Sequence, residues 1–228
     1  MNPSWIAGID GFRSEWFVVL VNHAQGRVIE TRHHVCCSFK DVLNLTPEPK
    51  VIAIDIPIGL LDKPEIGGRE CDREARRLLK PPRASSVFSP PIRKYLPAQD
   101  FSETRGISKQ AFGILCKIRE VDKQMTPELQ GRVHEAHPEL SFYHLAGRPM
   151  QHNKKTPDGR EERLNALSET FPNIWKEVFS SKLKVPYDDI IDAYAAAWTA
   201  IRIENGIAKR FPENPSVDAK KLRMEIWS

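Results

Sequence analysis

Two short apolar runs, over residues 5–9 and 16–22, open the chain; both are rich in β-branched and aromatic residues and are joined by a polar link, 10–15, containing Gly11. That pattern predicts a β-hairpin. Residues 28–35, after the Gln25-Gly26 turn, predict a third antiparallel strand, and Ser38 offers an N-cap for a helix to about residue 45, stopped by Pro47 and Pro49. Residues 51–54 are apolar at every position, as in a strand buried on both faces in mid-sheet, so Asp55 stands at its carboxyl end. From 59 to about 131 the pattern turns polar and arginine-rich, interrupted by Pro81-Pro82 and Pro90-Pro91, with helical periodicity over 71–79 and 109–123. We read it as a helical insertion after the fourth strand, within a single domain spanning 1–228. A short strand over 133–137, a helix over 161–170, a long helix over 188–204 and an edge strand over 222–227 complete the expected elements.

A chain of 228 residues is long enough for one sizeable core. Its 28% charged and 40% hydrophobic residues are those of a globular protein, and no apolar run approaches a membrane span or a signal peptide, so a cytoplasmic location is expected. Cys36, Cys37, Cys71 and Cys116 lack the paired spacing of a zinc site and are expected as free thiols. The formal charge of +4 is mild for a dedicated nucleic-acid binder. Basic residues do crowd one stretch, Arg69, Arg73, Arg76, Arg77, Lys80, Arg83, Arg93 and Lys94, which fits either a phosphate-tracking surface or a solvated helix face with local ion pairs.

The chemistry points to carboxylates. Asp10 follows the first strand, Asp55 ends the fourth, and Asp189 and Asp192 share one face of the last helix. Hydrolysis by two cations places them about 3.5–4 Å apart and needs a carboxylate to bridge them. Asp10 is the candidate bridge, with Asp55 holding one ion and Asp189 and Asp192 the other; hard oxygen ligands favour magnesium or manganese over zinc. Asp188 is expected to cap the helix. Glu135, His137 and Glu139 alternate along the expected strand, which suits a general base, Glu135, beside the ions, although Pro138 favours a structural His137. Lys154 and Lys155, in a loop before a helix, and Arg76, Arg83, Ser85 and Ser86 are candidate substrate contacts. The five tryptophans fit core packing better than base stacking for the most part.

Gly-Ile-Asp10-Gly, Ile-Asp55-Ile-Pro-Ile-Gly, Cys71-Asp-Arg-Glu-Ala-Arg76, Arg83-Ala-Ser-Ser-Val-Phe88, Glu135-Ala-His-Pro-Glu139, Gly147, Lys154-Lys155 and Asp188-Asp-Ile-Ile-Asp192-Ala-Tyr-Ala-Ala-Ala-Trp occur in an order that resembles a family of predicted nucleases, domain of unknown function 429. The resemblance covers nearly the whole chain. It implies an α/β, ribonuclease-H-like fold, a mixed five-stranded sheet flanked by helices. The chain is more distantly similar to Holliday-junction resolvases, in which the fourth-strand residue is glutamate where this chain has Asp55, one methylene shorter.

These observations lead to a metal-dependent nuclease that hydrolyses phosphodiester bonds with magnesium or manganese and has nucleic acid, RNA or DNA, as its partner. Two alternatives stand beside it. A nucleotide-binding phosphotransferase of the actin or sugar-kinase type needs glycine-rich phosphate loops, whereas Gly8 and Gly11 stand alone. A non-catalytic binding protein on the same fold leaves the carboxylate set unexplained.

Overall fold

The computed structural model describes residues 3–180 and 182–228. Strands β1 (Ser4–Phe12), β2 (Glu15–Ala24) and β3 (Arg27–Cys36) form an antiparallel meander. β4 (Val51–Ile54) pairs parallel to β1, and β5 (Val133–Glu135) parallel to β4, giving a five-stranded sheet in the order β3-β2-β1-β4-β5. This is the mixed ribonuclease-H-like sheet expected from the sequence. β1 runs further than its apolar core suggests: Asp10 pairs with Phe17 and Phe12 with Glu15, leaving Arg13 and Ser14 for the turn.

Both faces of the sheet are covered, which is why β4 is apolar at all four positions. Against one face, carrying Ile6, Val19 and Ala53, lies α8 (Tyr187–Glu204) with α5 (Pro138–Ala146), α6 (Pro157–Ser168) and α7 (Ile174–Val178). Against the other, carrying Ala7, Ile9, Ile52 and Ile54, lie α1 (Phe39–Leu43), capped by Ser38 as expected, and α4 (Leu115–Gln124). The segment between β4 and β5 also contains α2 (Glu70–Leu79) and α3 (Lys109–Gly113). α2 belongs to a third cluster, where Cys71, Ala75 and Leu79 meet Val87, Leu140 and Ile226. All four cysteines are free. Among the described residues no helix is long and apolar enough to cross a membrane.

Four local expectations are corrected. β5 stops at Glu135, His137 is the extended N-cap of α5, and Pro138 takes its first position, where a missing N–H costs nothing. Glu135, His137 and Glu139 therefore do not share a strand face. The helix expected over 109–123 is two helices, α3 ending at Gly113 and α4 starting at Leu115. Of residues 222–227 only β7 (Ile226–Trp227) is a strand; it pairs with β6 (Arg210–Phe211) and touches β5's continuation through a bridge to Ala136. Pro186, not Asp188, is the N-cap of α8, so Asp188 and Asp189 both lie in its first turn without capping it.

Candidate active site

The register of the two central parallel strands builds the site. Ile9 pairs with Ile54, so Asp10 and Asp55 are the next residues on neighbouring strands, and the Asp55 N–H donates to the Ile9 carbonyl at 3.2 Å. Side chains alternate along a strand, which puts both carboxylates on the face of Ile6 and Ala53, the face that α8 covers. Gly8 lets α8 come close: a Cβ there would lie 2.0 Å from the Ala197 nitrogen and 2.2 Å from the Ala193 oxygen. The beginning of α8, with Asp189 and Asp192, is thereby brought level with the end of β1. Gly8 is a packing glycine, and Gly11 lies against the Lys117 side chain, 2.5 Å from where its Cβ would be.

Asp10, Asp55 and Asp192 line one cleft of about 290 Å³. Burial holds the Asp10 carboxyl well above the usual carboxylate range; Asp55, Asp192 and Asp189 add to this and Lys154 opposes it. Asp55 is pushed up to about 6, by burial first, with His137 and Lys154 opposing and Asp192 and Glu139 reinforcing. Asp189, outside the cleft lining, also rises to about 6 through burial and its neighbour Asp192. Asp192 is 3% exposed and accepts a 2.6 Å hydrogen bond from Lys154 Nζ. Burial works against the Lys154 charge, but Asp192, Asp55 and Asp10 outweigh it and Lys154 holds its proton tightly. The donor chemistry suits a hard divalent cation: three carboxylates line one cleft with a lysine that is bonded to Asp192. Among the described residues, no three His, Cys, Asp or Glu side chains are gathered tightly enough to hold an ion as they stand. Lys154 takes up part of that charge.

Glu135 also lines the cleft, although it does not share the strand face of Asp10 and Asp55. It pairs in register with Ile54, whose side chain belongs to the opposite sheet face from Asp10 and Asp55. Arg69, 1% exposed, holds both of its oxygens at 2.6 and 2.7 Å, and the Ile58 N–H donates to one of them at 2.7 Å. Burial pushes Glu135 up to about 7 against the pull of Arg69. The same guanidinium donates to Asp72 and to the carbonyls of Ile58 and Gly59, so it fastens α2 and β5 to the loop that follows Asp55.

Of the expected substrate contacts, Arg83, Ser86 and Lys154 line the cleft, whereas Arg76, Ser85 and Lys155 do not. Arg76 donates to the carbonyls of Val87 and Gly67, and Ser85 to that of Pro82. The basic stretch is not one open surface either: Arg69 pairs with Asp72 and Glu135, Arg73 with Glu65, and Arg93 with Asp122 and Asp218. Sequence reasoning missed Lys117, a buried cleft residue whose Nζ donates to the Glu15 carbonyl at 2.6 Å and sits 4.0 Å from the Trp16 ring centroid. Its signal was a lysine within the apolar series Leu115, Ile118 and Val121. Glu139 and His137 also line the cleft; Glu139 Oε1 accepts from Arg163, while Glu139 Oε2 and His137 Nδ1 are buried without a partner.

A family model described as protein of unknown function, DUF429, matches residues 8–217. The chain belongs to the DUF429 family. Its match spans Asp10, Asp55, Lys154, Asp189 and Asp192, so these carboxylates and the lysine lie within the DUF429 region. No curated protein matches this DUF429 chain. Among solved structures, a Thermus thermophilus RuvC structure is similar, at 14% identity over 90% of this chain and 98% of that one, with a TM-score of 0.39.

Proposed function

We propose that this protein is a divalent-cation-dependent hydrolase of phosphodiester bonds in nucleic acid. The supporting observation is the convergence of Asp10, Asp55 and Asp192, from β1, β4 and α8, in one cleft where burial and mutual repulsion make their charges costly. Buried carboxylates of like charge are an expense to the fold unless a cation offsets them. Asp10, Asp55 and Asp192 would hold magnesium or manganese, with Asp189 available at the rim. When bound, the cation supplies polarisation of a phosphoryl oxygen and an activated water.

The chain's own residues do the rest. Lys154 orients Asp192 and, with three donors on one ammonium, has protons to spare for a phosphate oxygen. Arg83 is fixed through Nε on the Met150 carbonyl, which leaves its other donors for a substrate entering the cleft. Ser86 sits beside it. Glu135 and Arg69, which also line the cleft, position the loop after Asp55. The phosphotransferase reading lacks its glycine-rich loops, and Gly8 is taken up by packing against α8.

The test is calorimetric titration of manganese into wild type and Asp10→Asn, paired with cleavage of end-labelled RNA, DNA, hybrid and branched substrates. Cation binding and cleavage that the substitution abolishes are expected. Absence of manganese binding to wild type, both alone and with an uncleavable phosphodiester present, sinks the proposal.

A further inference from the structure

Four aromatic rings are exposed among the described residues, Phe101, Trp175, Phe179 and Tyr187, and three of them form one ladder. Trp175 stacks on Phe179 with centroids 6.0 Å apart and planes 29° from parallel, and Phe179 meets Tyr187 edge to face at 5.1 Å with planes 61° apart. The three remain 39%, 47% and 42% exposed, so packing inside this chain leaves much of each ring open. Other exposed large apolar side chains, such as Ile66 and Ile29, fall on distant parts of the chain. Trp175 is the tryptophan for which core packing does not account.

The ladder is set in basic surroundings. Arg160 lies over the Tyr187 ring at 5.4 Å, and Lys155, Lys176, Lys182 and Lys184 are exposed on the same segments; none of these four lysines is in an ion pair among the described residues. Against them stand Asp158, Glu161, Glu169, Asp188 and Asp189, while Glu162 is paired with Arg148 and Glu177 is taken up by Tyr194 and His33. The ladder is linked to the cleft through α8. Tyr187 and Asp189 belong to the first turn of α8, and Asp192 is about one turn further on. Lys154, bound to Asp192, is followed by Lys155 and then by the α6 turn that carries Arg160.

We infer that Trp175, Phe179 and Tyr187 form a stacking platform for unpaired bases of a single-stranded nucleic acid, with Lys176, Lys182, Lys184 and Arg160 along its phosphates, leading the strand toward the carboxylate cleft. Aromatic faces bind any base because every base has a π-face, and flanking cations follow the backbone; a duplex hides its bases and cannot use the rings. The sequence-tolerant chemistry is shared by DNA and RNA. The inference gives the substrate class for the proposed hydrolase and so rests on that reading for its purpose, though the binding itself does not need the carboxylates.

Binding is measured by fluorescence anisotropy with 5′-labelled oligothymidylate and oligouridylate of about 15 nucleotides, a length that covers one such site. A duplex of the same length serves as comparison, in wild type with chelator and in Asp10→Asn. We expect both single strands to bind, the duplex to bind far more weakly, and Trp175 fluorescence to be quenched. Trp175→Ala and Phe179→Ala should each weaken binding by roughly tenfold without lowering the melting temperature, since both rings are exposed. Replacing Lys176, Lys182 and Lys184 by Gln should reduce the slope of log K against log salt by about 2, at roughly 0.7 per phosphate contact. Unchanged affinity in the aromatic variants overturns the platform, as does equal or tighter binding of the duplex. So does self-association that these variants abolish in a wild type that binds no oligonucleotide. Stacking that persists in a protein with no cleavage activity fails the hydrolase and keeps the platform; cleavage insensitive to the ladder does the reverse.

Discussion

At Asp55 a single proton reports on the whole site. Its carboxyl titrates at about 6 in the folded chain against an ordinary 3.8, chiefly because it is buried beside other carboxylates. A raised pKa means that the folded state binds the proton more tightly than the unfolded one. The stabilising contribution is full below about pH 4, is lost as pH rises through 6, and stays lost above. The difference corresponds to an upper bound of roughly 3 kcal/mol, reduced in practice by solvent at the cleft. Asp55→Asn should therefore stabilise the cation-free protein at pH 7 by roughly 1–2 kcal/mol and flatten its stability between pH 4 and 6; urea denaturation across that range measures both. A loss of stability at pH 7 would identify a structural hydrogen bond instead. Lys154→Met should act in the opposite sense, leaving Asp192 buried and unpaired at a cost of about 3 kcal/mol. These residues were legible in the sequence because each aspartate follows an apolar run or opens a helix, where a carboxylate needs a partner. Glu135 was singled out too and lines the cleft, but its pairing with Arg69 was not legible, because strand register, which decides the face it occupies, is invisible in one chain's pattern.

Elements explain why these side chains meet. α8 lies on β1 at the separation that Gly8 allows, and any side chain there must push the helix off the sheet. Gly8→Ala should destabilise by at least about 3 kcal/mol and shift the urea midpoint accordingly, and it should weaken manganese binding even though residue 8 bears no ligand. A second joint is the Arg69 clamp. Glu135→Gln removes one charge from a buried pair, which typically costs about 3–5 kcal/mol, and frees the Ile58-Gly59 loop that follows Asp55. Weaker cation binding together with lower stability is expected by calorimetry; unaltered affinity would show that the clamp only holds the fold. The misreading of 133–139 belongs at this scale. The Glu-x-His-x-Glu alternation has strand period, yet Pro138 is better placed as the first residue of a helix, and that local preference prevailed. The break at Gly113 between α3 and α4 likewise interrupts a periodicity that reads as continuous.

At the scale of the molecule, the sheet's two faces and the wall of the cleft differ in how they are held. β1 and β4 lie at the centre, covered on one side by α8 and on the other by α1 and α4, with apolar side chains filling both layers. The wall formed by residues 82–113 consists of short 3-10 turns and α3, and it contributes few members to the two large clusters. Yet Arg83, Ser86 and Gln110 from this wall line the cleft. Regions with few buried apolar partners open at lower free energy than the core they cover. Amide hydrogen exchange should show the β1, β4 and mid-α8 amides exchanging only through global unfolding, whereas those over 82–113 exchange by local opening at least about 2 kcal/mol below it. Under the proposed function, such opening would admit a nucleic-acid strand past Arg83 to the carboxylates without disturbing their strands. Addition of an uncleavable single strand should slow exchange over 82–113 and leave β1 as it was. If the wall exchanges as slowly as β1, the cleft is rigid, and a substrate must reach Asp10 along the open side bounded by Lys154 and the beginning of α8.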